Sequence, residues 1–167
     1  MKKTFLLFNL GFLILTLHSA PTKSNIKTET SDENKIKAQC FDTELEGFGK
    51  VKFESHSISR KLFFFLSKNG ERFYEFPNVE NGWTLEEIQA VSFQDINGDK
   101  SKDVLVIASF ITGMGKDGVI PFSVGYVFLN ADKKFIYSKK NDKMNSVMNA
   151  KHADFTIQNI KKYFPKN

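Results

Sequence analysis

Cysteine, arginine and histidine are all scarce in this chain. A single cysteine, Cys40, cannot close a disulfide within the chain, so an apolar core must hold the fold without a covalent staple. Cys40 is expected to sit in that core as a small apolar side chain, with an intermolecular disulfide as the competing reading. Arg60 and Arg72 are the only arginines, so the net charge of +5 rests on lysine. Nucleic-acid readers depend on arginine for bidentate and stacking contacts. The basic balance therefore reads as a solubility property, and no nucleic-acid partner is expected. HExxH, CxxC and GxSxG patterns are absent from the sequence, and with them the catalytic chemistries that such motifs announce.

Long apolar runs are missing too. The longest, Phe5 to Leu17, follows Lys2 and Lys3 and precedes Ser19-Ala20. A short positive region, roughly a dozen apolar residues and a small-residue end read as a secretory signal. The run is shorter than the about 20 residues that a membrane-spanning helix needs. Residues 1–20 are thus expected to be a signal peptide, which places the protein in the periplasm or outside the cell. His18 and Pro21 disfavour cleavage after Ala20, so an N-terminal anchor is the alternative. Residues 21–35 are polar and read as a flexible leader, followed by a single β-rich domain over 36–167.

Within that domain, Val51 and Phe53 alternate with lysine and glutamate, as in a half-buried strand. Leu62-Phe63-Phe64-Phe65-Leu66 reads as a strand buried on both faces, and Asn69-Gly70 as a hairpin turn into Glu71–Phe76. Thr84 and Glu87 fit a capping box, which predicts a helical turn before a strand at 90–94. Val104 to Ile111 is the most apolar run of the domain and reads as its central strand. A strand at 122–129 turns at 130–133 into a short partner. Met144, Val147 and Met148, then Ala153, Ile157, Ile160 and Phe164, fall at helical spacing, with Asp154 in the first turn and Pro165 at the stop. The expected fold class is α+β: an antiparallel, blade-like β-meander sheet of about six or seven strands with a C-terminal helix.

The segment with most chemical content is Asp95-Ile96-Asn97-Gly98-Asp99-Lys100-Ser101-Lys102-Asp103. Side-chain oxygens fall at its positions 1, 3, 5 and 9, and Ser101 at position 7 offers a backbone carbonyl. Hard cations such as Ca²⁺ take six to eight oxygens, and a loop of alternating ligands delivers them from one short segment. Position 12 is Val106, which rules out an EF-hand. The stretch resembles the DxNGDxxxD loop of the FG-GAP and VCBS repeat families, known from integrin-type β-propellers. The resemblance covers about residues 92–137, with strands on both sides of the loop, and occurs once, so no complete propeller is implied. It implies a Ca²⁺ held by the side chains of Asp95, Asn97, Asp99 and Asp103 and the carbonyl of Ser101. Lys100 stands where the family has a glycine, and Lys102 adds a second positive charge. Both point to weak binding, in the ~10⁻⁴–10⁻³ M range of extracellular modules. The competing reading is a metal-free loop in which Asp and Asn side chains cap backbone N–H groups.

Gly113 to Gly118 spells GxGxxG, but no helix follows to meet a pyrophosphate, so it reads as a glycine loop. On that loop Met114, Ile120 and Phe122 offer apolar contacts for a partner. His56 is expected to face solvent on its strand. Asp42, Glu44 and Glu46 read as a solvated acidic face, and no catalytic residue is assigned. The expected function is that of an exported non-enzymatic binding protein whose partner is a protein or an envelope component. The alternatives are an envelope-polymer hydrolase and an inhibitor or immunity-type protein for another exported protein.

Overall fold

Alternating apolar residues make the first half of the domain a run of four short strands, and the second half repeats the plan. The structure, a computed structural model, describes residues 35–36, 39–79, 82–113 and 120–164. The strands are β1 (Phe41–Leu45), β2 (Gly49–Ile58), β3 (Lys61–Lys68), β4 (Glu71–Glu75), β5 (Thr84–Gln94), β6 (Asp103–Ile111), β7 (Phe122–Ala131) and β8 (Lys134–Tyr137). Two helices follow, α1 (Lys140–Ala150) and α2 (Ile157–Lys161). Each sheet is an antiparallel meander, β1-β2-β3-β4 and β5-β6-β7-β8.

The β-rich, antiparallel α+β character agrees with the sequence, but the strands form two four-stranded sheets where one larger sheet was expected. The reason is the aromatic inner face of the first four strands. Phe53, Phe64, Leu66 and Phe76 are too apolar to be left to solvent, and sheet β5–β8 covers them with Val104, Val106, Phe110, Tyr126, Phe128 and Phe135. Rings interlock across the interface, with Phe64 and Phe128 centroids 5.7 Å apart and Phe76 and Phe135 4.5 Å apart, distances at which aromatic pairs add to simple burial. Pro77 and Gly82, the latter at φ +69°, lie in the connection from one sheet to the other.

Both hairpins that close the sheets use residues at positive φ, Asn69-Gly70 after β3 and Asp132-Lys133 after β7, as type I′ turns require. β6 is central and buried on both faces, with Val104 and Val106 toward the first sheet and Leu105 and Ile107 toward the helices. That is why it reads as a continuous apolar run. On β3, Phe64 and Leu66 enter the core, while Phe63 and Phe65 are only half-buried on the outer face.

Two local expectations fail. Thr84–Glu87 belongs to β5 and not to a helical turn, because β6 supplies a full partner from Thr84 to Gln94. Register shifts at Leu85/Glu87 and Ile88/Ala90 mark bulges in that pairing, which overrides the local helix signal. The C-terminal helical pattern is split in two. His152 at φ +49° breaks it, and α2 starts only at Ile157, capped by the Thr156 side chain, so Asp154 precedes the helix. Pro165 lies outside the described residues, as does the signal segment with most of the leader. Cys40 is half-buried, its Sγ 3.3 Å from the Ile36 carbonyl.

α1 does more than cover the second sheet. β8 pairs only with the far end of β7, leaving β7 residues 123–127 with an open edge. Asn141, Asn145 and Asn149 project from α1 at four-residue spacing and bond the backbone of Val127, Gly125 and Ser123 respectively. One helical turn advances about 5–6 Å, close to two strand residues, so an asparagine ladder can stand in for a neighbouring strand. Glycine at 125 suits the close approach: a Cβ there would lie 2.8 Å from Ile160 Cδ1 and 2.9 Å from Met144 Cε, and those side-chain ends would have to shift.

Candidate functional site

The Asp-rich loop joins β5 to β6 and is closed by its own side chains. Asp95 accepts from the N–H groups of Gly98 and Lys100, Asn97 from Asp99, and Asp99 from Ser101. The Asn97 amide also donates to Asp99 Oδ2 at 2.9 Å. Asp103 is fully buried and accepts from Ile96 N at 2.8 Å and Asn130 N at 2.9 Å, which ties the loop to the end of β7. Burial raises the Asp103 pKa, the two backbone bonds oppose this, and the nearby Asp99 and Asp95 charges push it further up. Lys100, in the position where the resembling loops carry glycine, has φ +73°. A side chain costs about 1–2 kcal/mol in that left-handed region, so this backbone tolerates lysine where glycine fits freely. No group of three or more His, Cys, Asp or Glu positioned to hold a metal occurs among the described residues. Ser101 and Asn97 are half-buried; the Lys102 backbone N–H donates to the Glu46 carboxylate, and its Nζ donates to the Glu44 carbonyl.

A second polar cluster lies on the outer face of the first sheet, and it departs from what the strand pattern leads one to expect. His56 does not face solvent; it is fully buried. Its Nε2 lies 3.1 Å from Glu54 Oε2, and Arg72 Nη2 lies 3.0 Å from Nε2 and 3.3 Å from Nδ1. A neutral ring with the proton on Nε2 donates to Glu54, and Arg72 keeps the same carboxylate as its partner, with its Nε 3.5 Å from Glu54 Oε2. Burial lowers the His56 pKa, and Arg72 and Lys35 add to that against Glu54. Glu54 also accepts from Ser67 at 2.6 Å and Lys35 at 2.9 Å. Burial alone would raise its pKa, but these bonds and the Lys35 charge hold it at about 2. Arg72 lies over the Phe65 ring at 4.6 Å, a cation–π contact.

The Ser67 hydroxyl bonds the carboxylate and not the imidazole, so the cluster lacks the nucleophile-to-base link of a hydrolytic triad. Asp42 is exposed beside Lys52 at 3.7 Å, and Glu44 is exposed; neither joins His56. Ser55 and Ser57 alternate with His56 along β2 and take the opposite face of the sheet.

The third feature is a groove of about 580 Å³ at the open side of the sandwich, within the usual size for small-molecule sites. Trp83 just before β5, Phe122, Val124 and Tyr126 of β7, Tyr137 of β8 and Val79 form its apolar wall. Asp142, Asn145, Ser146 and Asn149 of α1 form the other side. Trp83 and Phe122 meet edge to face at 4.8 Å, and the Tyr126 and Tyr137 centroids are 6.4 Å apart. Tyr137 donates its hydroxyl to Asp142 Oδ1 at 3.2 Å. Burial and the adjacent carboxylate push the tyrosine pKa well above its ordinary range, which keeps that proton in place.

Of the residues expected to meet a partner, Phe122 lines this groove, Ile120 is 60% exposed beside it on a neighbouring groove, and Met114 lies outside the described residues. Trp83, Tyr126, Tyr137 and Asp142 carried no sequence signal, since strand and helix patterns assign each to its own element. The one usable hint was the Asn141, Asn145, Asn149 spacing, which marks a polar helix stripe aimed at a sheet edge. A scan against protein-family models finds no match, and searches of the curated proteins and of the solved structures find none either.

Proposed function

We propose that this chain is an exported, non-enzymatic binding protein that takes its ligand in the groove between β7 and α1. The observation that carries this reading is the groove itself: four aromatic side chains and two valines facing a polar helix side, at a volume suited to a small ligand. Sites of this make-up, mostly apolar with a few oriented polar groups, are where small molecules bind. Export rests on the N-terminal signal pattern of the sequence. The 95–103 loop is the calcium-type turn of the reading, an FG-GAP/VCBS-like brace at the opposite end of β6 from the glycine loop. Its support is the spacing of Asp95, Asn97, Asp99, Ser101 and Asp103 and the positive φ at Lys100.

Trp83 is the chain's only tryptophan, so its emission reports on the groove alone. The neutral apolar dye N-phenyl-1-naphthylamine is expected to take up energy from Trp83, and Ser146→Phe, which fills the groove from an exposed helix position, to abolish the transfer. Absent transfer, or transfer unchanged by Ser146→Phe, would sink the groove as a binding site.

A further inference from the structure

Resting on that reading, we infer that the groove is built for a ligand carrying an organic ammonium group, its charge set against Asp142 and the aromatic faces, and its apolar body along Val124 and Phe122. Asp142 is the one ionisable group other than tyrosine among the described lining residues; no lysine, arginine or histidine lines the groove. Lys139, Lys140 and Lys143 flank Asp142 along the chain but contribute to none of the walls. In this lysine-rich protein, a groove whose described lining residues include one carboxylate and no cationic side chain is complementary to a cation.

The geometry adds to this. Tyr137 spends its hydroxyl on Asp142 Oδ1, which fixes the carboxylate, and Oδ2 has no hydrogen-bond partner among the described residues. The amide of Asn145 is committed to both backbone groups of Gly125, and Asn149 donates to the carbonyls of Ser123 and Asn145. The polar side of the groove therefore presents few groups for a hydroxyl-rich ligand such as a sugar. Besides the Ser146 hydroxyl, what it does present is a carboxylate oxygen next to Tyr137, in a groove that Trp83 and Tyr126 also line. Aromatic faces attract an ammonium through their quadrupole, and more strongly when the cation is shed of water. A groove of about 580 Å³ is larger than the ammonium group alone needs, so the charge is one end of a ligand with an apolar remainder.

The test uses two near-isosteric probes, 3-hydroxyphenyltrimethylammonium and uncharged 3-tert-butylphenol. Both are titrated into the full chain while the single indole N–H cross-peak of Trp83 is followed by NMR. The cation is expected to bind at least tenfold tighter than the neutral probe. Asp142→Asn should shrink that preference to threefold or less, and Tyr137→Phe should reduce it partially, with folding of both variants checked by thermal melting. Equal affinity for the two probes, or an undiminished preference in Asp142→Asn, overturns the inference. If the neutral dye still accepts energy from Trp83 in that case, the groove remains a binding site and only the ammonium is lost. If the dye fails as well, the binding reading falls with it.

Discussion

The two sheets share one strand order but close their outer faces by opposite means. The sheet β5–β8 turns Leu105, Ile107 and Val127 outward and buries them under Met144, Met148, Ile160 and Phe164 of the helical segment. Among the described residues no helix covers the sheet β1–β4. Its outer face carries Glu54, His56 and Ser67, sealed by Lys35, Arg72 and the Phe65 ring. One face is held by apolar area, which is non-directional and tolerant of small changes. The other is held by a polar network, which is stable only when every member is satisfied. The same meander thus yields a robust side and a brittle side.

The largest expected effect comes from breaking the brittle side at its centre. Glu54→Ala strands Lys35 and Arg72 around a buried pocket, and urea denaturation should show a loss of about 3–5 kcal/mol. Replacing Glu54, His56 and Arg72 together by Met, Leu and Met should recover most of it, because an apolar patch needs no partners. If Glu54→Ala costs under about 1 kcal/mol, the network is ornamental and the contrast between the sheets disappears.

On the helical side the polar exception is the asparagine ladder. Asn141 is fully buried and serves both backbone groups of Val127, so Asn141→Ala should cost about 2–3 kcal/mol by the same measurement. Asn149→Ala, at the half-buried end with one strand contact, should cost under about 1 kcal/mol. Equal costs would mean that helix packing, and not edge pairing, sets the value of the ladder.

Acid should separate the two sides without mutation. The His56 pKa lies below its ordinary 6.5, so the unfolded chain takes up a proton first and stability falls as pH drops below about 6.5. Glu54, held at about 2, contributes stability that is complete above 4.5 and is lost as pH falls toward 2. Asp103 works the other way: its raised pKa lets the folded state take up a proton first, which offsets part of the loss above 3.8. Thermal melting from pH 7 to pH 3 should show a falling midpoint, and His56→Gln should flatten the upper part of the fall. A flat wild-type profile would contradict the assignment of His56 as buried and neutral.

The smallest expected effects lie in the 95–103 loop, which bridges the two sheets through Lys102 and Glu46. Millimolar Ca²⁺ should stabilise the protein by about 1 kcal/mol, the linkage expected for a site of ~10⁻⁴–10⁻³ M affinity. Lys100→Gly should sharpen the response by removing a positive charge and the positive-φ penalty, with a change of a few tenths of a kcal/mol without metal. A melting midpoint that is the same in Ca²⁺ and in EDTA would remove the cation from the loop.

Much of the fold was legible because it is local. The Asn69-Gly70 turn, the apolar run of β6 and the helical spacing of Met144 and Met148 each state their own structure within a few residues. Other features were hidden because their causes are distant in sequence. His56 looked solvent-facing since its partners sit 16 residues away at Arg72 and on the same strand at Glu54, and strand alternation says which face a residue takes but not what covers that face. Thr84–Glu87 spelled a helix start until pairing with β6 claimed it. The groove draws on residues from 79 to 149, a separation no motif spans.

The order of residues is enough to make this protein β-rich and antiparallel, to place its hairpin turns and to concentrate its acidic side chains, because turn chemistry and side-chain period are properties of neighbouring residues. Tertiary structure alone decided that eight strands split into two facing sheets, that Glu54, His56 and Arg72 become one buried network, and that Trp83, Tyr126, Tyr137 and Asp142 meet around one groove. Those outcomes depend on which apolar face needs cover and which elements arrive to provide it, and that is settled only when the whole chain packs.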